Sequence, residues 1–149
     1  MHVRAYRPHQ DFRALLDAQC DLYQLNFPRF LCTPVFLADQ AQRLRAAGRR
    51  PSENGIFILE DDGSIVGFVW VAVRMDLQGT YGSIDQVYLK PDYRRQGYGA
   101  ALMQAAEEFI AKQGLKNARL YVTRNNGDAV RLYQRLGYEV TRYEMERRF

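Results

Sequence analysis

At Arg94-Arg95-Gln96-Gly97-Tyr98-Gly99 the hydrophobic period changes abruptly, which restricts the chain to folds built on a strand–turn–helix–strand unit. Before it, Val87-Tyr88-Leu89 is β-prone and Lys90-Pro91-Asp92 breaks the run. After it, Tyr98, Ala101, Leu102, Ala105, Ala106, Phe109 and Ile110 recur at helical intervals up to the stop signal Gly114. Ala118 to Thr123 reads as a further strand, which predicts a βαβ unit with its two strands parallel. A helix that opens on two glycines presents unpaired backbone N–H groups and roughly half a positive charge. No Cβ at Gly97 or Gly99 keeps a phosphate away from that backbone. The glycines alone would equally suit a tight turn, so the rest of the chain must decide.

Elsewhere the pattern predicts a short strand from Val3 to Tyr6, ended by Arg7-Pro8. Asp11 is placed to cap a helix through about Gln24, with Phe12, Leu15, Leu16 and Cys20 on its apolar face. A second helix runs from Pro34 to Ala47 and closes at Gly48. The aromatic segment Leu25 to Phe30 between them could line a pocket, but core packing is the expected role of any single aromatic there. Ile56 to Glu60 and Ile65 to Val73 flank Asp61-Asp62-Gly63-Ser64, a hairpin signal. A loop from Asp76 to Gly82 precedes the strand from about Ser83 to Leu89. A short helix covers Gly127 to Leu136, and Tyr138 to Phe149 is expected to supply one or two terminal strands. The predicted fold is a single-domain α/β mixed sheet of order β-α-α-β-β-β-α-β-α-β(β).

At 149 residues, with 47% hydrophobic and 26% charged residues, the chain fits one soluble globular domain. Its longest apolar run, Ile65 to Val73, is too short to span a bilayer, and MHVRAYRPHQ lacks an apolar signal region, so a cytoplasmic address is expected. Cys20 and Cys32 form no CxxC pair and the only histidines are His2 and His9. Buried or idle free thiols are therefore expected rather than a disulfide, a zinc site or a cysteine nucleophile, and a Ser-His-Asp hydrolase is disfavoured. Residues 1–86 carry 9 Lys and Arg against 10 Asp and Glu, whereas residues 87–149 carry 12 against 7. The basic half holds the glycine motif and suits a polyanionic small molecule. Nucleic acid ranks below it, because no basic run exceeds two residues and no RNA-binding signature is present.

A Walker loop is excluded by the absence of GxxxxGK[ST]. A dinucleotide fingerprint fails at Leu102, where a third glycine belongs, and at Arg119, where an acidic ribose ligand belongs. A second motif, Asn126-Gly127-Asp128-Ala129-Val130-Arg131-Leu132-Tyr133 followed by Arg135-Leu136-Gly137-Tyr138, has the form N-x-x-A-x-x-L-Y-x-x-x-G-[FY]. Together with Val87-Tyr88-Leu89-x-Pro91-x-Tyr93-Arg94-x-x-Gly97-x-Gly99 it resembles the GNAT superfamily of acetyl-coenzyme A dependent N-acetyltransferases.

The resemblance implies that the strand ending at Leu89 and the strand beginning near Ala118 are parallel neighbours that splay apart around coenzyme A. It implies that the backbone of Val87 and Leu89 pairs with the pantetheine amides. The amides of Arg95, Gln96, Gly97, Tyr98, Gly99 and Ala100 would hold the pyrophosphate, with Arg94 opening the loop. Asn126 would reach the pantetheine arm, although Asn is also a favoured N-cap. Acetyl-coenzyme A would be the co-substrate, with no metal and no acyl-enzyme, and a small-molecule or peptide amine would attack directly. The Val87 N–H would face the thioester oxygen and Tyr133 the departing thiolate. Asp85 is the candidate carboxylate for the amine proton, with a substrate-binding or structural carboxylate as the other reading: simple alternation puts it on the face of Val87 and Leu89 unless a bulge breaks the alternation, and burial would raise its pKa. Acceptor pockets in the family come from variable segments, here residues 23–36 and 74–82. Homodimers are common among such folds, no membrane partner is expected, and a catalytically silent coenzyme A binding module is the alternative reading.

Overall fold

Successive residues of a strand point to opposite faces of its sheet, so an unbroken apolar run requires cover on both sides. Ser64–Asp76 (β3) is such a run, and it lies at the centre of a five-stranded sheet. Its companions are His2–Ala5 (β1), Asn54–Asp61 (β2), Gly79–Leu89 (β4) and Ala118–Leu120 (β5), arranged β1-β2-β3-β4-β5. In this computed structural model, which describes residues 1–149, β1 to β4 pair antiparallel in sequence and β5 joins β4 in parallel.

Phe68 and Trp70 enter one face, where Leu15 of Pro8–Asn26 (α1) and Leu44 of Pro34–Gly48 (α2) meet Ile58 and Tyr88. Val69 and Val71 enter the other, against Leu102, Met103, Ala106 and Ile110 of Tyr98–Lys112 (α3) and Tyr133 of Gly127–Arg135 (α4). The mixed α/β fold and the parallel strand–helix–strand unit thus match the sequence expectation. No helix is long and apolar enough to cross a membrane.

Several boundaries differ. Helix α1 begins at Pro8, whose fixed φ suits the first helical position, and Asp11 reaches back to accept the Arg7 N–H at 2.7 Å. The same carboxylate, 3% exposed, pairs with Arg4 of β1, which also meets Glu60 of β2. The loop expected from Asp76 to Gly82 shrinks to Leu77-Gln78, because the β3–β4 ladder continues to Asp76↔Gly79. The β2–β3 turn has positive φ at both Asp62 (48°) and Gly63 (76°), the primed geometry that matches strand twist. The last strand expectations fail. Strand β5 stops at Leu120 rather than Thr123, and Tyr138 to Phe149 contains no strand, since no ladder forms between that tail and the free edge of β5.

The expectation of free thiols also fails, because Cys20 and Cys32 are joined in a disulfide with Cα atoms 5.7 Å apart. The connection after α1 folds back on itself: Tyr23 and Phe36 rings meet at 4.9 Å and Phe30 and Phe36 at 4.7 Å. That aromatic packing brings together two cysteines whose spacing carries no such signal. Closing a loop of this length restricts the unfolded chain by about 3 kcal/mol in the chain-entropy description. Reduction, or the double change C20S/C32S, is expected to lower the melting temperature accordingly, and an unchanged melting curve would assign the bond no stabilising role.

Candidate active site

The β4–β5 ladder consists only of Gly82↔Ala118, Ser83↔Arg119 and Ile84↔Leu120. From Asp85 to Leu89, β4 therefore has a neighbour on one edge and none on the other. Lys90 N–H donates to Val66 O at 2.8 Å, one step beyond the Gly67↔Leu89 pair. Because antiparallel bonding alternates, Tyr88 and Gln86 bond toward β3 while Val87 and Leu89 turn their N–H and C=O groups outward into the gap. The Leu89 carbonyl accepts instead from the Arg94 Nε at 3.0 Å.

At the end of this gap, a 3-10 turn at Pro91–Tyr93 leads into the glycine loop. Gly97 is the N-cap of α3 with φ 86° and offers no side-chain cap, so the first helical bond is Ala101 N–H to Gly97 O at 3.2 Å. The backbone N–H groups of Arg95 through Ala100 consequently have no acceptor within the protein. They form a run of donors at the positive end of α3, which is the chemistry a diphosphate requires. Arg95 itself holds a left-handed φ of 59°, costly for a residue with a Cβ. The Gln96 Nε2 bond to Asp92 O at 2.9 Å and the Arg95–Asp128 ion pair tie the loop down. The cradle and the open strand edge both fit a phosphopantetheine-type ligand.

Helix α4 closes the far side. Asn126 accepts the Ala129 N–H at 3.4 Å, so it acts as the N-cap, while its Nδ2 group has no protein partner. Leu132 lies against Gly99, where an added Cβ would sit 3.0 Å from Leu132 Cδ2. Tyr133 is 9% exposed within the α3-side core, its hydroxyl makes no hydrogen bond within the protein, and burial pushes its pKa up to about 12.

Asp85 departs from the alternation expectation. On β3, Trp70 and Val71 are consecutive, but their partners are Gln86 and Ile84, so Asp85 is the extra residue of a β-bulge. Val87 packs with the α3-side core, whereas the Asp85 carboxylate accepts from Ser83 Oγ at 2.6 Å and Arg74 at 2.7 Å. Arg74 shares the β3 parity of Phe68 and Trp70, which places this carboxylate on the face opposite Val87. The expected burial is absent: the Asp85 side chain is 27% exposed and ion-paired.

The family model described as Acetyltransferase (GNAT) family matches residues 16–138. The chain belongs to the GNAT acetyltransferase family. A mycothiol acetyltransferase of Thermobispora bispora is 38% identical to this GNAT chain over 143 residues, covering 93% of it and 46% of the relative. The chain spans about half the length of such curated relatives, as with the 47% of the Amycolatopsis mediterranei mycothiol acetyltransferase that it matches. Among solved structures, AAC(6')-Iy in complex with the bisubstrate analog CoA-S-monomethyl-acetylneamine shares the fold at a TM-score of 0.79 and 16% identity, covering 99% of this chain and 96% of that one.

Sequence reasoning missed two polar groups of this GNAT site. One is Arg74, whose proximity to Asp85 follows only from the hairpin register. The other is a glutamine chain. Fully buried Gln19 of α1 donates to Gln86 at 2.9 Å, and Gln86 donates to Gln40 of α2 at 3.4 Å, tying the bulged strand to both helices. Gln19 sits in the apolar stripe of α1 beside Leu15 and Ala18, and a polar residue on a buried face was the available signal.

Proposed function

We propose that this GNAT chain is an acetyl-coenzyme A dependent N-acetyltransferase that moves the acetyl group directly to a primary amine of a small molecule or peptide. The observation that carries the reading is the unpaired β4 edge running into the unpaired amides of Arg95 through Ala100. In this role those amides hold the pyrophosphate, and the outward backbone of Val87 and Leu89 pairs with the pantetheine arm. Arg94 must release the Leu89 carbonyl for that pairing. The free Nδ2 of Asn126 adds a donor on the α4 side.

When bound, acetyl-coenzyme A supplies an acetyl group activated as a thioester. The neutral amine nitrogen would bond to the acetyl carbon as the carbon–sulfur bond breaks, its surplus proton would pass through water to the departing thiolate to give the amide and free thiol, and the outward Val87 N–H would stabilise charge developing on the oxygen. Tyr133 serves as a hydrogen-bond donor to the leaving sulfur rather than as a full acid. With its pKa near 12 and an alkyl thiol near ~8.5, complete transfer would be uphill by about 5 kcal/mol. A hydrogen bond to a charged group contributes about 1.5–3 kcal/mol. Tyr133→Phe is accordingly expected to cut kcat by about 10–100-fold while leaving the acetyl-coenzyme A thermal shift intact.

The deciding experiment combines that thermal shift with release of free coenzyme A thiol on a panel of amines. A shift with turnover supports the reading. A shift without turnover would identify a silent binding module, and the absence of a shift would remove the cofactor assignment.

A further inference from the structure

We infer that Arg74 and Asp85 together select the acceptor, and that its chemical class is an amine carrying an anionic group a few bonds away, as in an α-amino acid. The inference rests on the acetyltransferase reading and specifies its acceptor. Asp85 is the first residue of β4 beyond the last β5 pair, so its carboxylate stands at the mouth of the open edge, two residues before Val87. It occupies a bulge, a device that re-aims one side chain without shifting the rest of the strand. Ser83 holds one carboxylate oxygen at 2.6 Å and Arg74 holds the other at 2.7 Å.

An ammonium arriving at Asp85 competes with the Arg74 guanidinium for that second oxygen. Once displaced, Arg74 loses the one acid with which it is paired. The neighbouring carboxylate of Asp76 is paired with Arg119, which is further fixed by Gln78 at 3.1 Å and by the Tyr81 ring, 4.0 Å from its guanidinium carbon. A plain amine therefore exchanges one ion pair for another and leaves Arg74 to water. An acceptor with both charges exchanges one ion pair for two, and the planar guanidinium suits a carboxylate in particular. The Arg74 side chain, 52% exposed, is free to swing to such a group.

The test measures thiol release at saturating acetyl-coenzyme A on matched probes, each proteinogenic L-amino acid beside its carboxamide, with tyramine beside tyrosine. The expected result is a kcat/KM at least tenfold higher for the best carboxylate member than for its carboxamide. Arg74→Gln should bring that ratio close to one, Arg74→Lys should retain part of it, and Asp85→Asn should depress both members. The acetyl-coenzyme A thermal shift and the ligand-free melting temperature should hold in all three variants. Equal or better use of the carboxamides, an unchanged ratio in Arg74→Gln, or no turnover of any probe while the thermal shift persists would overturn the inference. Loss of the wild-type thermal shift would instead strike the acetyltransferase reading beneath it.

Discussion

Gly99→Trp is expected to abolish the acetyl-coenzyme A thermal shift and to lower kcat/KM by at least about 100-fold, the equivalent of roughly 2.7 kcal/mol of lost binding. Gly99 lies inside the run of unpaired amides, and the first atom of any side chain there already meets Leu132 Cδ2 at 3.0 Å. An indole has to leave that contact and project over the mouth of α3, where the diphosphate would rest. Unlike Gly97, Gly99 does not have a positive φ, so the substitution acts by occupying space rather than by straining the backbone. A ligand-free melting temperature within a few degrees of wild type is the control. A normal thermal shift in this variant would place the cofactor elsewhere.

The largest stability effect is expected at Arg4→Met. Arg4 and Asp11 are 9% and 3% exposed as side chains, and removing the guanidinium leaves a carboxylate desolvated without its partner. Breaking a buried pair from one side costs about 3–5 kcal/mol, or about 10 °C in melting temperature for a chain of this size. The pH dependence gives a second readout. Burial alone would push the Asp11 carboxyl up, but the Arg4 guanidinium and the Arg7 N–H outweigh it and hold the carboxyl below its ordinary value. Its stabilisation is therefore full above about pH 4 and fades as the pH falls through the lowered folded-state value. In the variant only the burial effect and the Arg7 bond remain, so the carboxyl resists ionisation and the gap to wild type should narrow between pH 7 and pH 4. A gap that is constant over that range would mean that lost packing, not charge, dominates.

What the sequence disclosed and what it withheld divide along physical lines. Helix α3 was legible because its apolar stripe is local and periodic, and β3 because both its faces are apolar. The glycine loop was legible as a strand-to-helix turn because the hydrophobic period changes across it, whereas a ligand for it could be named only once the second motif beginning at Asn126 was set beside it. The extent of β5 was not, because a strand exists only where a neighbour pairs with it, and Tyr121-Val122-Thr123 are β-prone without one. The terminal strands expected after Tyr138 fail for the same reason. A bulge could be foreseen as the thing that would break the face assigned to Asp85, but its position at Asp85 could not, because register is a property of two strands and one unpaired residue reverses the face of a side chain. The Cys20–Cys32 bond was hidden because it depends on how four aromatic rings fold the connection back.

A sheet left unzipped for part of its length invites foreign strands to complete it, and this is how many proteins begin to aggregate. Here the guanidinium of Arg94 covers the Leu89 carbonyl, one of the outward-facing groups of the seam. A positive charge on an open edge repels a second copy that carries the same charge. The side chain proposed to open the cofactor loop would then also protect the empty protein, so that losing it should cost solubility before it costs fold.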